Sequence, residues 1–255
     1  MTPISHPTPR LKARLKAGEA LGCHWLQLGS SALAELAAEA EPDAIVLDMQ
    51  HGVWSRTTLN DAVGAIAGRA PPLARVQDDS LWAINSALDA GCHGVVVPLI
   101  ESAEQCAAAV AAAHYPPIGR RSAGGPRTNL DFAAYREATG AHLLVSVMIE
   151  TAAGVEAAEA IAATPGLDMI FIGPTDLSLA LGEGQGTDRF EAAVARVLAA
   201  GKARGVPVGI YTGGPEQALA RASQGFQFMV VANDIHLARN GARSAWSAFR
   251  SGAGA

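Results

Sequence analysis

Leu167-Asp168-Met169-Ile170-Phe171-Ile172-Gly173-Pro174-Thr175-Asp176-Leu177-Ser178 is a short apolar run that stops at Gly-Pro and then a carboxylate; upstream, Met148-Ile149-Glu150 ends in the same way. A short apolar run bounded by Gly and Pro reads as a buried parallel strand. Parallel sheets present their chemistry at the carboxyl ends of the strands. Consecutive strands would therefore deliver Glu150 and Asp176 to neighbouring points on one rim. Two carboxylates without a third protein ligand suit a hard divalent ion such as Mg²⁺ or Mn²⁺, which keeps positions open for water or substrate oxygens. Each residue also has a plainer reading, Glu150 opening the next helix and Asp176 capping one. The pair at matching strand ends favours the metal.

Outward from this stretch, strand-like and helix-like segments alternate eight times. The expected strands are Ala20–Gly29, Ala44–Asp48, Pro72–Gln77, Gly94–Ile100, Leu143–Glu150, Leu167–Ile172, Val206–Thr212 and Phe226–Ala232. The expected helices are Ser30–Ala40, one from near Ser55, Ser80–Asp89, Ser102–Ala113, Gly154–Ala163, Asp188–Ala203, Glu216–Ser223 and about His236–Phe249. The fourth strand is nearly all Val, Leu and Ile, as a strand covered on both faces requires. Eight such units in 255 residues predict one (β/α)₈ barrel spanning 1–255, with a polar lead-in at 1–18, a short basic helix at Pro9–Ala17 inside it, and a flexible tail at 250–255. A doubly wound open sheet is the alternative, but no GxGxxG follows the first strand. Between Tyr115 and Arg127 the Gly and Pro content rules out regular structure. Loops of this length are usually functional; with Arg120, Arg121 and Arg127 this one is read as an anion site, a subunit contact or a solvated connector.

Composition narrows the function classes. With 49% hydrophobic and 17% charged residues, net charge −5 and dispersed Lys and Arg, bulk electrostatics gives no reason to expect nucleic-acid or membrane binding. Three isolated cysteines, Cys23, Cys92 and Cys106, fit a reducing cytoplasm. No apolar run approaches the ~18 residues of a membrane span. Only Lys12, Lys16 and Lys202 occur, none at a strand end, which disfavours Schiff-base chemistry.

The other strand ends offer Gln27, Asp48 with Gln50 and His51, Arg75, Thr212 and Asn233. His51 stands in a Gly-terminated turn, placed for proton transfer near neutral pH. Arg75 interrupts an apolar strand and must meet either Asp48 or a substrate anion.

These motifs resemble the HpcH/HpaI family of metal-dependent class II pyruvate aldolases. The resemblance rests on Leu47-Asp48-Met49-Gln50-His51-Gly52, Arg75, Leu88-Asp89-Ala90-Gly91, Val97-Pro98, Tyr115-Pro116-Pro117-Ile118-Gly119-Arg120-Arg121, Met148-Ile149-Glu150-Thr151 and Phe171 to Ser178. It implies a barrel assembled as a hexameric trimer of dimers, its last helix swapped between partners. It implies Mg²⁺, Mn²⁺ or Co²⁺ on Glu150 and Asp176, chelated by pyruvate or its enolate. Arg75 would stabilise the enolate, His51 would be the base, and amides around Gly173, Pro174, Thr175 and Asp176 would hold the pyruvate carboxylate. An aspartate matching Asp89 would pair with the catalytic histidine of another subunit, which agrees with Asp89 closing the helix after strand three, at the barrel's far rim. Gln50 and Met148 stand where some relatives carry Glu and Gln, which bears on the acceptor. The activity implied is reversible cleavage of 4-hydroxy-2-oxo acids to pyruvate and an aldehyde. The rivals are an acyl-CoA ester lyase, which would need a basic groove from Arg120, Arg121 and Arg127, and a non-catalytic binder of 2-oxo acids.

Overall fold

The computed structural model describes residues 9–66 and 68–252. The chain runs α1 (Pro9–Lys16), β1 (Leu21–Leu26), α2 (Ser31–Ala38), β2 (Ala44–Asp48), α3 (Arg56–Ile66), β3 (Pro72–Arg75), α4 (Leu81–Asp89), β4 (Gly94–Val97) and α5 (Ala103–Ala113). A 3₁₀ turn (Thr128–Asp131) leads into α6 (Phe132–His142), then β5 (Leu144–Ile149), α7 (Ala152–Glu156), α8 (Ala158–Ala162), β6 (Met169–Ile172), α9 (Pro174–Leu181) and α10 (Asp188–Arg204). The chain continues through β7 (Val208–Ile210), α11 (Pro215–Gln224), β8 (Phe228–Asn233) and α12 (Asp234–Gly252). The strands are parallel in chain order, and β8 pairs with β1 to close the barrel.

Local chemistry sets where the helices begin. Ser30, Ser80, Ser102, Thr151 and Thr187 each accept the backbone N–H three residues on, so a helix starts within a few residues of each cap. Such a cap contributes about 1 kcal/mol. Gly182, Gly205 and Gly225 end α9, α10 and α11 in the left-handed conformation that glycine adopts without cost.

Side-chain alternation divides the apolar residues into two layers. Leu21, Cys23, Trp25, Val46, Leu73, Val96, Met148, Phe171, Phe228 and Val230 fill the barrel interior. The outward residues pack under the helices in a second, larger cluster. The short basic helix expected near the start is α1, which adds Leu11 and Leu15 to the interior cluster. Lys12 pairs with Asp168 at 2.7 Å and Arg14 with Asp43 at 2.5 Å, which pins α1 to the residues ahead of β6 and β2.

Several boundaries differ from the sequence reading. The fourth strand stops at Val97 because Leu99 has φ +56° and turns its N–H to the Glu150 side chain, not to the sheet. The expected helix Gly154–Ala163 is two short helices, α7 and α8. Helix α6 has no counterpart in the sequence reading, and α9, expected only as a helix capped by Asp176, is capped by Gly173. Helix α12 continues to Gly252, through part of the expected tail; the rest of that tail, and residues 1–8 of the lead-in, lie outside the described residues. From Leu237 to Gly252 every residue of α12 is exposed. No helix among the described residues is long and apolar enough to cross a membrane.

Candidate active site

Extending each inward row by one more step, from Trp25 to Gln27, Leu73 to Arg75, Met148 to Glu150, Phe171 to Gly173 and Gly209 to Tyr211, leads out of the apolar interior. There, at the C-terminal ends of the strands, a cavity of about 350 Å³ opens. These residues line it together with His51, Pro174, Thr175, Asp176 and His236.

Asp48, fully buried beneath the cavity, organises one wall. Its carboxylate accepts from Arg75 Nε at 2.8 Å and from Arg75 Nη2, from Gln27 Nε2 at 2.9 Å and from Trp25 Nε1 at 3.1 Å. The backbone N–H groups of Gln50 and His51 also donate to it, at 3.1 and 3.2 Å. Burial alone would raise the Asp48 pKa, but the Arg75 bonds and charge, with Trp25 and the His51 amide, outweigh it and hold the carboxyl below its ordinary value. Arg75 thus meets Asp48 and still faces the cavity. Its guanidinium carbon lies 5.1 Å from the Trp25 ring centroid.

Glu150 forms the opposite wall with Asp176. Only 1% exposed, Glu150 accepts the Leu99 N–H on Oε1 at 2.9 Å, while Oε2 has no hydrogen-bond partner. Burial, followed by the neighbouring Asp176 charge, pushes the Glu150 carboxyl up to about 7 against the opposing Leu99 bond and Arg75 charge. Gly173 belongs to the same construction, since a Cβ there would collide with Glu150 Oε2. Asp176 lies in the first turn of α9, where the helix dipole favours an anion. An orphaned buried carboxylate oxygen beside a second carboxylate is costly without a compensating cation. Hard-oxygen chemistry and the missing partner both fit a divalent ion. Among the described residues no group of three or more His, Cys, Asp or Glu could hold a metal, so the pair would leave positions for other oxygens.

Of the residues expected from the sequence, His51, Arg75, Glu150, Gly173, Pro174, Thr175 and Asp176 share this cavity. Asp89 does not. It ends α4 and pairs with Arg121 at 3.0 Å, so within one chain it is not part of the His51 wall. The backbone amides free to hold an anion are also fewer than expected. Gly173 N–H already reaches Ile149 O at 3.4 Å and Pro174 has none, which leaves Thr175 and Asp176 in the first turn of α9.

Trp25, Tyr211 and His236 were missed. Alternation from Leu21 and Gly209 marks the first two; the expected rim residue Thr212 turns into the wall and bonds Val230 O. His236 follows from the start of α12, where Asn233 Oδ1 accepts the His236 N–H at 3.3 Å, an angle no strand pattern encodes. The lysines stay away from the cavity: Lys12 pairs with Asp168 and Lys202 donates to Gln224 O at 3.0 Å.

The chain is similar to known aldolases. A hydroxypyruvate/pyruvate aldolase of Paraburkholderia phytofirmans is 34% identical, over 96% of this chain and 98% of that protein. A 4-hydroxy-2-oxovalerate aldolase of Novosphingobium aromaticivorans is 34% identical over 78% of this chain and 80% of its own. The crystal structure of a family protein from Burkholderia cenocepacia superposes with a TM-score of 0.90 at 35% identity, covering 95% of this chain and all of the other. Barrel, rim and relatives together define a carbon–carbon lyase. The model of the HpcH/HpaI aldolase/citrate lyase family matches residues 22–241, and the chain belongs to that family.

Proposed function

We propose that the protein is a divalent-metal-dependent aldolase that reversibly cleaves 4-hydroxy-2-oxo acids to pyruvate, or a related 2-oxo acid, and an aldehyde. The observation that carries this reading is Glu150 Oε2, buried and unpartnered beside Asp176, in one cavity with Arg75 and His51. Glu150 and Asp176 would hold Mg²⁺, Mn²⁺ or Co²⁺, which when bound supplies Lewis acidity toward a substrate carbonyl. Arg75, fixed by Asp48, stabilises the negative charge that develops on the 2-oxo oxygen. The Thr175 and Asp176 amides at the start of α9 receive the substrate carboxylate. His51 takes the 4-hydroxyl proton, directly or through a water, as the C3–C4 bond breaks, and returns a proton to C3 of the enolate to give pyruvate. Asp89 serves the histidine of a neighbouring subunit.

The assembly we infer is a hexamer built from dimers that exchange α12. Two features support it: the wholly exposed stretch of α12, which carries Trp246 and Phe249, and an apolar groove of about 330 Å³ lined by Leu26, Leu33, Leu36, Ala37 and Leu237. The groove lies outside β1 and beside α2, where an eighth barrel helix would pack. A cytoplasmic location suits the three buried, unpaired cysteines. An acyl-CoA substrate is less well supported: Arg121 is buried and Arg127 donates to Asn60, leaving Arg120 as the exposed arginine of that cluster.

The test is cleavage of 4-hydroxy-2-oxovalerate, followed by coupling the released pyruvate to NADH oxidation. Turnover with Mn²⁺ that EDTA abolishes is expected. Undiminished turnover in EDTA would refute the metal assignment, and turnover of acyl-CoA esters alone would refute the aldolase.

A further inference from the structure

The arginine-bearing loop between α5 and the 3₁₀ turn closes around the end of α4. Arg121 is fully buried there, between the rings of Tyr115 and Tyr135 at 4.6 and 5.4 Å. Its Nη2 donates to Asp89 Oδ1 at 3.0 Å, and both terminal nitrogens donate to Tyr135 Oη at 3.2 Å. The Tyr135 hydroxyl in turn donates to Leu88 O at 3.2 Å, beside Asp89 in the same helix. Gly125, at φ +99°, packs against this end; a Cβ there would lie 2.9 Å from Asp89 Cβ. The Asp89 side chain nevertheless stays 15% exposed. A buried ion pair is a poor source of stability compared with apolar packing, and the end of a helix disfavours a carboxylate. What this arrangement does supply is one carboxylate held in a fixed orientation at the protein surface.

We propose that Arg121 is a positioning residue: through Oδ1 it fixes Asp89, so that the open side of the carboxylate meets His51 of a second copy of this chain. The proposal rests on the reading in which Asp89 serves a neighbouring subunit. Burial raises the Asp89 pKa above its ordinary value, and Arg121, then Arg56 on α3, oppose that rise. The other titratable groups facing it, Tyr115 and Tyr135, are themselves pushed up by burial and stay neutral.

The test is a double-mutant cycle on the Mn²⁺-loaded assembly, reading kcat and KM for 4-hydroxy-2-oxovalerate from pH 5.5 to 9. Arg121→Met is expected to lower kcat about tenfold or more, the size of a lost charge-assisted hydrogen bond, with little change in KM. The loss deepens toward low pH, because Asp89 without Arg121 stays protonated to higher pH. In an Asp89→Asn background the same substitution costs less than about twofold, since Arg121 acts through Asp89; Arg121→Lys restores part of the rate. An equal, pH-independent loss in both backgrounds would show a merely structural role and overturn the proposal. Full activity in Asp89→Asn would remove the subunit-crossing role and the proposal with it, while leaving metal-dependent cleavage intact. If Arg121→Met does not fold, Tyr135→Phe replaces it, and additivity with Asp89→Asn overturns the proposal in the same way.

Discussion

Glu150 carries most of the energetic tension in the site. In the metal-free protein it keeps its proton to about pH 7, whereas the unfolded chain releases it at ordinary carboxylate pH. The folded state therefore binds more protons over that window, and stability of the metal-free protein falls as pH rises toward 7. Added Mn²⁺ reverses the trend, because its binding displaces the proton. Mn²⁺ affinity is expected to weaken by about tenfold per pH unit below 7, measurable by calorimetry in buffers of different ionisation enthalpy; a pH-independent affinity would exclude Glu150 as a ligand. Gly173→Ala pushes a Cβ into Glu150 Oε2 and should weaken metal binding while the barrel still folds by circular dichroism. Arg75→Ala removes the cation opposite this pair and is expected to cost at least about 10²-fold in kcat. A rate near that of the parent protein would exclude Arg75 as the charge stabiliser. Most of these residues were legible because strand ends can be read from where apolar runs stop. Tyr211 and Trp25 were not, since strand ends alone ignore which face a residue occupies. His236 was not, because its place depends on the angle at which α12 leaves β8.

The elements show the same division. Eight strands were legible as short, largely apolar runs, and most plainly β2, β4, β5 and β6, which close on Asp48, Pro98, Glu150 and Gly173. Helix α9 enters the sequence reading only as a helix that Asp176 would cap; its eight residues begin at Pro174, directly after the N-cap Gly173, so Asp176 stands inside its first turn. It matters, for its first turn supplies Asp176 and the two free amides. Helix α1 was seen, but its work was not: Leu15, only 1% exposed, belongs to the barrel interior. Leu15→Ala is expected to destabilise by about 2–5 kcal/mol, read as a lower urea midpoint with unchanged Mn²⁺ affinity. A midpoint equal to that of the parent protein would mean that α1 does not seal the interior.

At the scale of the whole molecule, one chain is a closed barrel with two loose ends. Helix α12 is held to the barrel at Asp234 and is exposed from Leu237 onward, and Asp89 presents its carboxylate away from the cavity of its own chain. In the proposed assembly a second copy would meet both. Ending the chain after Asn233 should leave a smaller particle by light scattering and exposed apolar surface by dye binding; an unchanged mass would contradict helix exchange. Charge and composition give no sign of the proposed assembly, because it would depend on one amphipathic helix and one groove, each ordinary in average composition. The chemistry itself is tested most directly by exchange of the pyruvate methyl protons in D₂O, followed by NMR. Exchange with Mn²⁺ or Mg²⁺ that stops with EDTA and in His51→Ala is the expected result. No exchange with any divalent metal, or exchange indifferent to both EDTA and His51, would contradict the assignment of this rim to enolate chemistry.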